Sequence, residues 1–113
     1  LYSLQKDSDV KELPDNIIDL QHLLISWRDT ASAIANLDLV ITSCTSIAHL
    51  ASAMGKPTWV VVPILPYHIW AYGDKHTPWY QNTTRIFRQK KFGEWSDTFK
   101  EVEKELIKTF KLK

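Results

Sequence analysis

A cluster of small polar residues surrounds the lone cysteine in the middle of the chain, and its composition suits the binding of an anion. Its members are Ser43, Cys44, Thr45 and Ser46. An apolar run at residues 39–41 precedes the cluster and predicts a strand, and a small-residue stretch that ends at Gly55 follows it and predicts a helix. The helix N-terminus would then lie at the carboxyl edge of a parallel sheet, where ligands bind. The cluster is therefore a candidate phosphate cradle and also a candidate N-cap, two roles that are compatible.

Other residues reach the same edge, because every segment that leaves a strand of a parallel sheet emerges there. They are His22, Trp27, Arg28 and Asp29, then residues 63–70, and finally residues 88–91. Four aromatic side chains within residues 63–83 either stack on a nucleobase or sugar or close the sheet edge: Tyr67, Trp70, Trp79 and Tyr80. Arg88 either approaches a phosphate or is solvated or ion-paired. His49 is either a core residue or a ligand contact, whereas Lys56 falls at the opposite edge.

The elements that must position these residues alternate between strand and helix. Strands are predicted at residues 1–5, 17–20, 39–42, 58–62 and 84–88, and helices from Asp29 or Thr30 to residue 37, over 46–54 and over 96–110. Residues 6–16 are polar, with a turn at Pro14 and Asp15. The alternation predicts an α/β fold, a partial Rossmann-like three-layer domain with a mainly parallel sheet of about five strands. Arg85 and Arg88 are expected to share one face of the last strand.

Composition restricts the class of protein. The 113 residues are expected to form one partial domain, residues 1–113, and an apolar fraction of 44% predicts an ordered core. The net charge of +1 argues against a nucleic-acid partner, and no apolar run is long enough for a membrane span. The lone Cys44 fits a reducing, cytoplasmic compartment. Because the chain opens on Leu1 rather than Met, we interpret it as a fragment of a longer protein.

Three sequence blocks carry a resemblance to a known family. The block TSCTSIAHLASAMGKPTWVVVP, residues 42–63, is similar to the Asp-Thr/Ser-x-x-x-His-Leu-Ala-x-Ala-x-Gly-x-Pro motif of the ADP-heptose lipopolysaccharide heptosyltransferases. With the later segments HTPWY, TRIFRQ and GEW, the chain looks more closely like the glycosyltransferase domains found behind tetratricopeptide repeats in bacterial proteins. The resemblance spans residues 1–106. Two departures stand out: Cys44 replaces an Asp of many relatives, and the family's first strand would precede Leu1.

This resemblance implies a GT-B glycosyltransferase, in which two Rossmann-like domains hold a nucleotide-sugar between them, and the chain matches part of the C-terminal, donor-binding domain. The implied donor-diphosphate contacts are Ser43, Cys44, Thr45, Ser46 and His49. The implied base or sugar contacts are Asp29, Pro63, Tyr67, Trp70 and Arg88. The expected substrate is a nucleoside-diphosphate sugar, with a glycan, lipid or protein acceptor and with no metal or other cofactor. No catalytic residue is identified, because in this family the general base falls largely to the missing N-terminal domain.

Two other functional classes remain open. A non-catalytic nucleotide-binding or interaction domain would keep the fold without the chemistry, and the loss of Asp at position 44 favours it. A Cys44-dependent hydrolase would use the strand-to-helix turn as a nucleophile elbow. Such elbows usually need Gly two residues to either side, where this chain has Thr42 and Ser46. The absent first strand further predicts exposed sheet edges, covered either by closure of the 1–5 strand onto the 39–42 strand or by a homodimer.

Overall fold

Strands and helices alternate along the chain, and all of the named strand pairs are parallel, which confirms the predicted α/β class. The computed structural model describes residues 1–6 and 12–112, so that residues 7–11 of the predicted polar segment lie outside the described residues. The chain divides into two units, Leu1–Leu37 and Asp38–Lys113. The assignment of residues 1–113 to one partial domain stays a prediction.

The first unit holds a short parallel pair and one helix. Strand β1 (Tyr2–Ser3) pairs with β2 (Ile18–Asp19), and the predicted turn before β2 is closed by a 2.9 Å hydrogen bond from the Ile17 N–H to the Pro14 carbonyl. A 3-10 turn (Gln21–Leu23) leads to helix α1 (Trp27–Ala35). The predicted cap at Asp29 or Thr30 is wrong, since the N-cap is Ser26. Asp29 follows the cap by three positions, the spacing that is typical of a capping box.

The second unit is a three-stranded parallel sheet with helices between its strands. Its order is β3 (Val40–Ser43), β4 (Thr58–Val62) and β5 (Thr84–Arg88), with β4 in the centre and buried along its whole length. Helix α2 (Ser46–Ala53) joins β3 to β4. Helix α3 (His68–Ala71) and a 3-10 turn (Pro78–Tyr80) lie between β4 and β5, where the sequence predicted irregular structure, and helix α4 (Ser96–Phe110) follows β5.

Alternation along β4 makes this unit three layers thick. Val60 and Val62 pack with Ala48 of α2 on one side of the sheet. Trp59 and Val61 pack with Val102 of α4 on the other side. Because successive side chains of a strand point to opposite faces, one apolar strand supplies both cores. The predicted three-layer arrangement therefore holds for the second unit.

Helix α2 ends in a Schellman motif that turns the chain back into the sheet. The Lys56 N–H donates to the Ala51 carbonyl (3.0 Å) and the Gly55 N–H to the Ser52 carbonyl (3.1 Å). Gly55 has φ +78°, a conformation that favours glycine. Lys56 thus lies at the amino end of β4, away from the edge where α2 begins, as predicted.

The two sheets show which edges are paired. β1 pairs with β2 in the first unit, and β3 pairs with β4 in the second. The predicted closure of the first strand onto β3 and the homodimer that was its alternative both stay predictions. The outer edge of β5 is partly covered: the Ile86 N–H donates to the Lys75 carbonyl (2.7 Å), and His76 Nδ1 donates to the Thr84 carbonyl (3.0 Å).

Helix α4 has the predicted bounds, and only some of its apolar side chains are buried. Thr98 and Val102 are its buried residues, while Phe99 is 55% and Phe110 40% exposed. Phe99 lies about 100° around the helix axis from Thr98. Because the side of the helix that carries Thr98 faces the sheet, the Phe99 side chain lies at the surface. The sequence pattern identified an apolar stripe but not which part of the stripe meets the sheet.

Candidate functional site

Helix α2 begins directly beyond the carboxyl end of β3 with its first turn uncapped by any side chain. Thr45 is the N-cap, with extended backbone (φ −116°, ψ −178°), but its hydroxyl accepts no helix N–H and instead lies 3.5 Å from the Thr42 hydroxyl. The Ala48 N–H donates to the Thr45 carbonyl (3.0 Å). In the described part of the chain, the N–H groups of Ser46 and Ile47 have no acceptor. Two donors at the positive end of the helix therefore face the carboxyl edge of the sheet.

Helix α1 differs from α2, because the Asp29 carboxylate of the helix itself caps its N-terminus. The Ser26 Oγ accepts from the Asp29 N–H (3.2 Å), and the Asp29 carboxylate accepts from the Ser26 N–H (2.8 Å). The hydrogen bonds from the Ser26 backbone and hydroxyl lower the pKa of Asp29 below its ordinary 3.8. Asp29, an expected donor contact, is thus held in the first unit as part of a cap. Helix α2 has no acidic residue in its first turn, so its N-terminus lacks this internal anion.

The residues of the cluster differ in exposure. Ser43, Thr45 and Ser46 are exposed, whereas Cys44 is half-buried and packs against the core formed by α2, β4 and β5. No described residue hydrogen-bonds the Cys44 thiol. The cluster presents hydroxyl and backbone N–H groups rather than a sulfur nucleophile, an arrangement suited to an anion.

His49 is part of a packed aromatic group beneath this edge. Its Nδ1 lies 2.9 Å from the Tyr80 hydroxyl, and its ring centroid lies 5.0 Å from that of Trp70. The Trp70 and Tyr80 rings stack at 6.1 Å. Trp70 is only 1% exposed, so its ring cannot meet an added ligand without rearrangement. His49 and Trp70 were both expected donor contacts. Both instead pack within this aromatic group and support the carboxyl edge of the sheet.

Four further rings form an exposed group, here called the aromatic surface: Tyr67, His68, Trp79 and Tyr72. Neighbouring members lie 4.2 Å (Tyr67–His68), 5.8 Å (His68–Trp79) and 6.2 Å (Tyr72–Trp79) apart between centroids. Tyr67, Tyr72 and Trp79 are 66%, 59% and 50% exposed. Tyr67 is a predicted base or sugar contact and His68 lies in the range 63–70 predicted to reach the edge, whereas Tyr72 is in neither set. No local pattern distinguishes exposed from buried rings in a stretch of irregular periodicity.

The two arginines of β5 lie on opposite faces of the sheet, so the expected common face is wrong. Arg85 and Arg88 are three positions apart, an odd spacing that alternation places on opposite sides. Arg85 pairs with Glu105 of α4 (2.9 Å) and lies 4.7 Å from the Phe87 ring, and its hydrogen bond lowers the pKa of Glu105 below its ordinary 4.5. Arg88 Nη2 instead donates to the Trp70 carbonyl (2.8 Å).

Pro63, the last expected donor contact, directly follows β4 and is half-buried. The next residue, Ile64, donates its N–H to the Gln89 side-chain oxygen at 3.4 Å, which ties the segment after β4 to the segment after β5. Within residues 1–6 and 12–112, no three His, Cys, Asp or Glu side chains are grouped as a metal site requires. None of the helices in those ranges has both the length and the apolar character needed to cross a membrane.

Comparison with protein-family models, with curated proteins and with solved structures finds no match to the chain.

Proposed function

We propose that this chain is the donor-binding part of a GT-B glycosyltransferase that transfers a sugar from a nucleoside-diphosphate sugar. The uncapped N-terminus of α2 is the observation that carries the proposal. Its free N–H groups, on Ser46 and Ile47, lie at the carboxyl end of a parallel strand, within the block that resembles the heptosyltransferase motif. A helix N-terminus in this setting suits a diphosphate.

The same geometry suits the chemistry of glycosyl transfer. The bond from the anomeric carbon to the diphosphate oxygen breaks, and negative charge grows on the leaving nucleoside diphosphate as the acceptor oxygen bonds to the sugar. Fixed N–H groups aimed at that charge stabilise the transition state electrostatically. The acceptor proton requires a general base, which we assign to the other domain. The chain by itself should therefore bind donor and not turn it over.

The side chains that pack around the start of α2 are consistent with a role in donor binding. His49, Trp70 and Tyr80 pack together under the edge and hold the first turns of α2 against the segment after β4. Of the residues expected to touch the base or sugar, Tyr67 has the exposure to do so. A flat exposed ring can stack on a nucleobase, which is worth about 1–3 kcal/mol per base in single-strand binding.

A paired substitution tests the proposal on the α2 N-terminus. Thr45→Asp should place a carboxylate at the N-cap, where it accepts the free Ile47 N–H and also repels a diphosphate. We expect the variant to be more stable by about 0.5–2 kcal/mol, the range for a good cap, yet to lose binding of nucleoside diphosphates. Titration followed by amide signals of Ser46 and Ile47 measures binding, and urea unfolding measures stability.

Two further variants complete this test. Ser46→Ala should weaken donor binding while leaving the fold intact. Ser26→Ala is the matched control, because it removes a hydroxyl from the N-terminus of α1, which is already filled by Asp29. Nucleoside diphosphates that bind Thr45→Asp as tightly as the original chain would contradict the proposal.

A non-catalytic nucleotide-binding domain is the second candidate, favoured by Cys44 in the position of the family's Asp. It predicts the same binding results but no glycosyl transfer by the full-length protein. Assay of that protein with a panel of nucleoside-diphosphate sugars separates the two, since released nucleoside diphosphate would exclude a purely binding role.

A further inference from the structure

A polar cleft lies at the carboxyl end of β5, which is the edge strand opposite β3 in the three-stranded sheet. It measures about 320 Å³, and its charged and polar lining comprises Asp74, Lys75, Arg88, Gln89, Lys90 and Glu101. Because neighbouring strands are about 4.8 Å apart, the cleft is about 10 Å from the strand that leads into α2. Its size is at the lower end of the range for small-molecule pockets, about 300–1,000 Å³.

One wall of the cleft is the end of the β5 edge that the preceding loop leaves unpaired. In a parallel strand, the N–H and carbonyl of one residue point to the same side, and those of the next residue to the other. The Gln89 N–H donates to the Val62 carbonyl of β4 (2.9 Å), whereas the Ile86 N–H points outward to the Lys75 carbonyl (2.7 Å). The Arg88 N–H therefore also points outward, and no described residue accepts it. The edge supplies a backbone donor to the cleft.

The cationic side chains of the cleft are oriented but only partly neutralised. Arg88 Nη2 donates to the carbonyls of Trp70 (2.8 Å) and Gly73 (3.5 Å), which fixes the guanidinium without cancelling its charge. Lys90 lies 3.5 Å from Glu101, a pair that is largely exposed and weak. Neither Lys75 nor Arg88 forms an ion pair with a described residue. Three cations and two carboxylates line the cleft, which leaves one positive charge in excess.

The loop that carries Lys75 is held by contacts that do not involve the Lys75 ammonium. Gly73 has φ +83°, and a Cβ at this position would lie 2.3 Å from the His76 carbonyl oxygen. His76 and Thr77 fix the next turn, through the Thr84 carbonyl (3.0 Å) and the Ile69 carbonyl (2.7 Å). The loop that brings Lys75 to the cleft does not depend on the lysine ammonium for its conformation. The ammonium is therefore left to bind a ligand.

We propose that this cleft binds the phosphate group of a small phosphorylated molecule, at a site distinct from the α2 N-terminus. A terminal phosphate carries about 1.5–2 negative charges at neutral pH and three acceptor oxygens. The Arg88 guanidinium, the Arg88 N–H and the Lys75 ammonium supply donors to the cleft, and Lys90 adds positive charge. Arg88 would bind the phosphate through its remaining N–H groups, since Nη2 is already used by the carbonyls.

The test titrates the full 113-residue chain with glycerol 3-phosphate at constant ionic strength, followed by the amide signals of Arg88 and Lys90, with glycerol as the uncharged control. We expect saturable shifts with the phosphate and none with glycerol. Lys75→Gln and Arg88→Gln should each weaken binding about tenfold or more, because a charge-assisted hydrogen bond is lost. Lys75→Gln keeps the proposal testable if Arg88→Gln perturbs the loop, since the Lys75 side chain is exposed.

Lys108→Gln, about two turns beyond Glu101 on α4, controls for general charge and should bind like the original chain. Three results would overturn the proposal: no saturable shift at Arg88, equal weakening in all three lysine and arginine variants, or binding that Thr45→Asp abolishes and Lys75→Gln and Arg88→Gln leave unchanged. The last result would place the phosphate at α2.

Discussion

Alanine in place of Gly73 should destabilise the chain far more than alanine in place of Gly55, although both glycines have positive φ. Gly55 has φ +78° with nothing within 4 Å of a built Cβ, so Gly55→Ala meets only backbone strain. That strain is about 1 kcal/mol. At Gly73 the new Cβ would lie 2.3 Å from the His76 carbonyl oxygen. Real Cβ atoms essentially never approach another heavy atom within 3.0 Å, so the oxygen must move by about 0.7 Å.

The displaced oxygen belongs to the loop that covers the edge of β5. Its movement would lengthen the hydrogen bonds from Ile86 to the Lys75 carbonyl (2.7 Å) and from His76 to the Thr84 carbonyl (3.0 Å). Each is worth about 0.5–1.5 kcal/mol net, so Gly73→Ala should cost about 3 kcal/mol in total when the strain is added. Urea unfolding followed by tryptophan fluorescence measures both variants. Equal losses for the two would refute the reasoning from the carbonyl contact.

Other predictions follow from local chemistry. Thr98→Val should raise the free energy of unfolding by about 1 kcal/mol, because the buried Thr98 hydroxyl has no hydrogen-bond partner among the described residues; a lower urea midpoint would contradict this. Ser26→Ala should lower stability by about 0.5–2 kcal/mol through loss of the α1 cap, as measured by urea titration. Arg85 lowers the folded-state pKa of Glu105 below 4.5, so the pair's contribution to the free energy of unfolding is complete above pH 4.5 and is lost as pH falls through the lowered pKa. Glu105→Gln should therefore reduce the loss of stability in that acid range. An unchanged dependence of the free energy of unfolding on pH would refute this prediction. If β3 edges pair in a homodimer, Ile41→Lys should dissociate it in sedimentation, and a chain that is monomeric at every concentration would exclude that dimer.

The sequence predicted best those elements whose signal is local. The bounds of β4, β5 and α4 agree with prediction, because a continuous β-branched run, a strand of apolar core residues and a helical repeat each depend on neighbouring residues alone. The turn at Pro14 and the Schellman end of α2 at Gly55 also follow from single residues with strong backbone preferences. The predicted start of α1 was wrong, since Ser26, Asp29 and Thr30 are all residue types that favour the N-cap position.

For the candidate site, the sequence by itself determined which residues gather at the carboxyl edge of the second unit's sheet, since strand order and direction place Ser43–Ser46, Pro63–Trp70 and Arg88 there. The tertiary structure alone decided what each residue does. It buried Trp70 and exposed Tyr67, and it paired His49 with Tyr80 across 31 positions. It also filled the N-terminus of α1 while leaving that of α2 open. Such outcomes depend on partners distant in sequence, because hydrogen bonds and packing are chosen by the fold as a whole and local preference is only one of the competing energies.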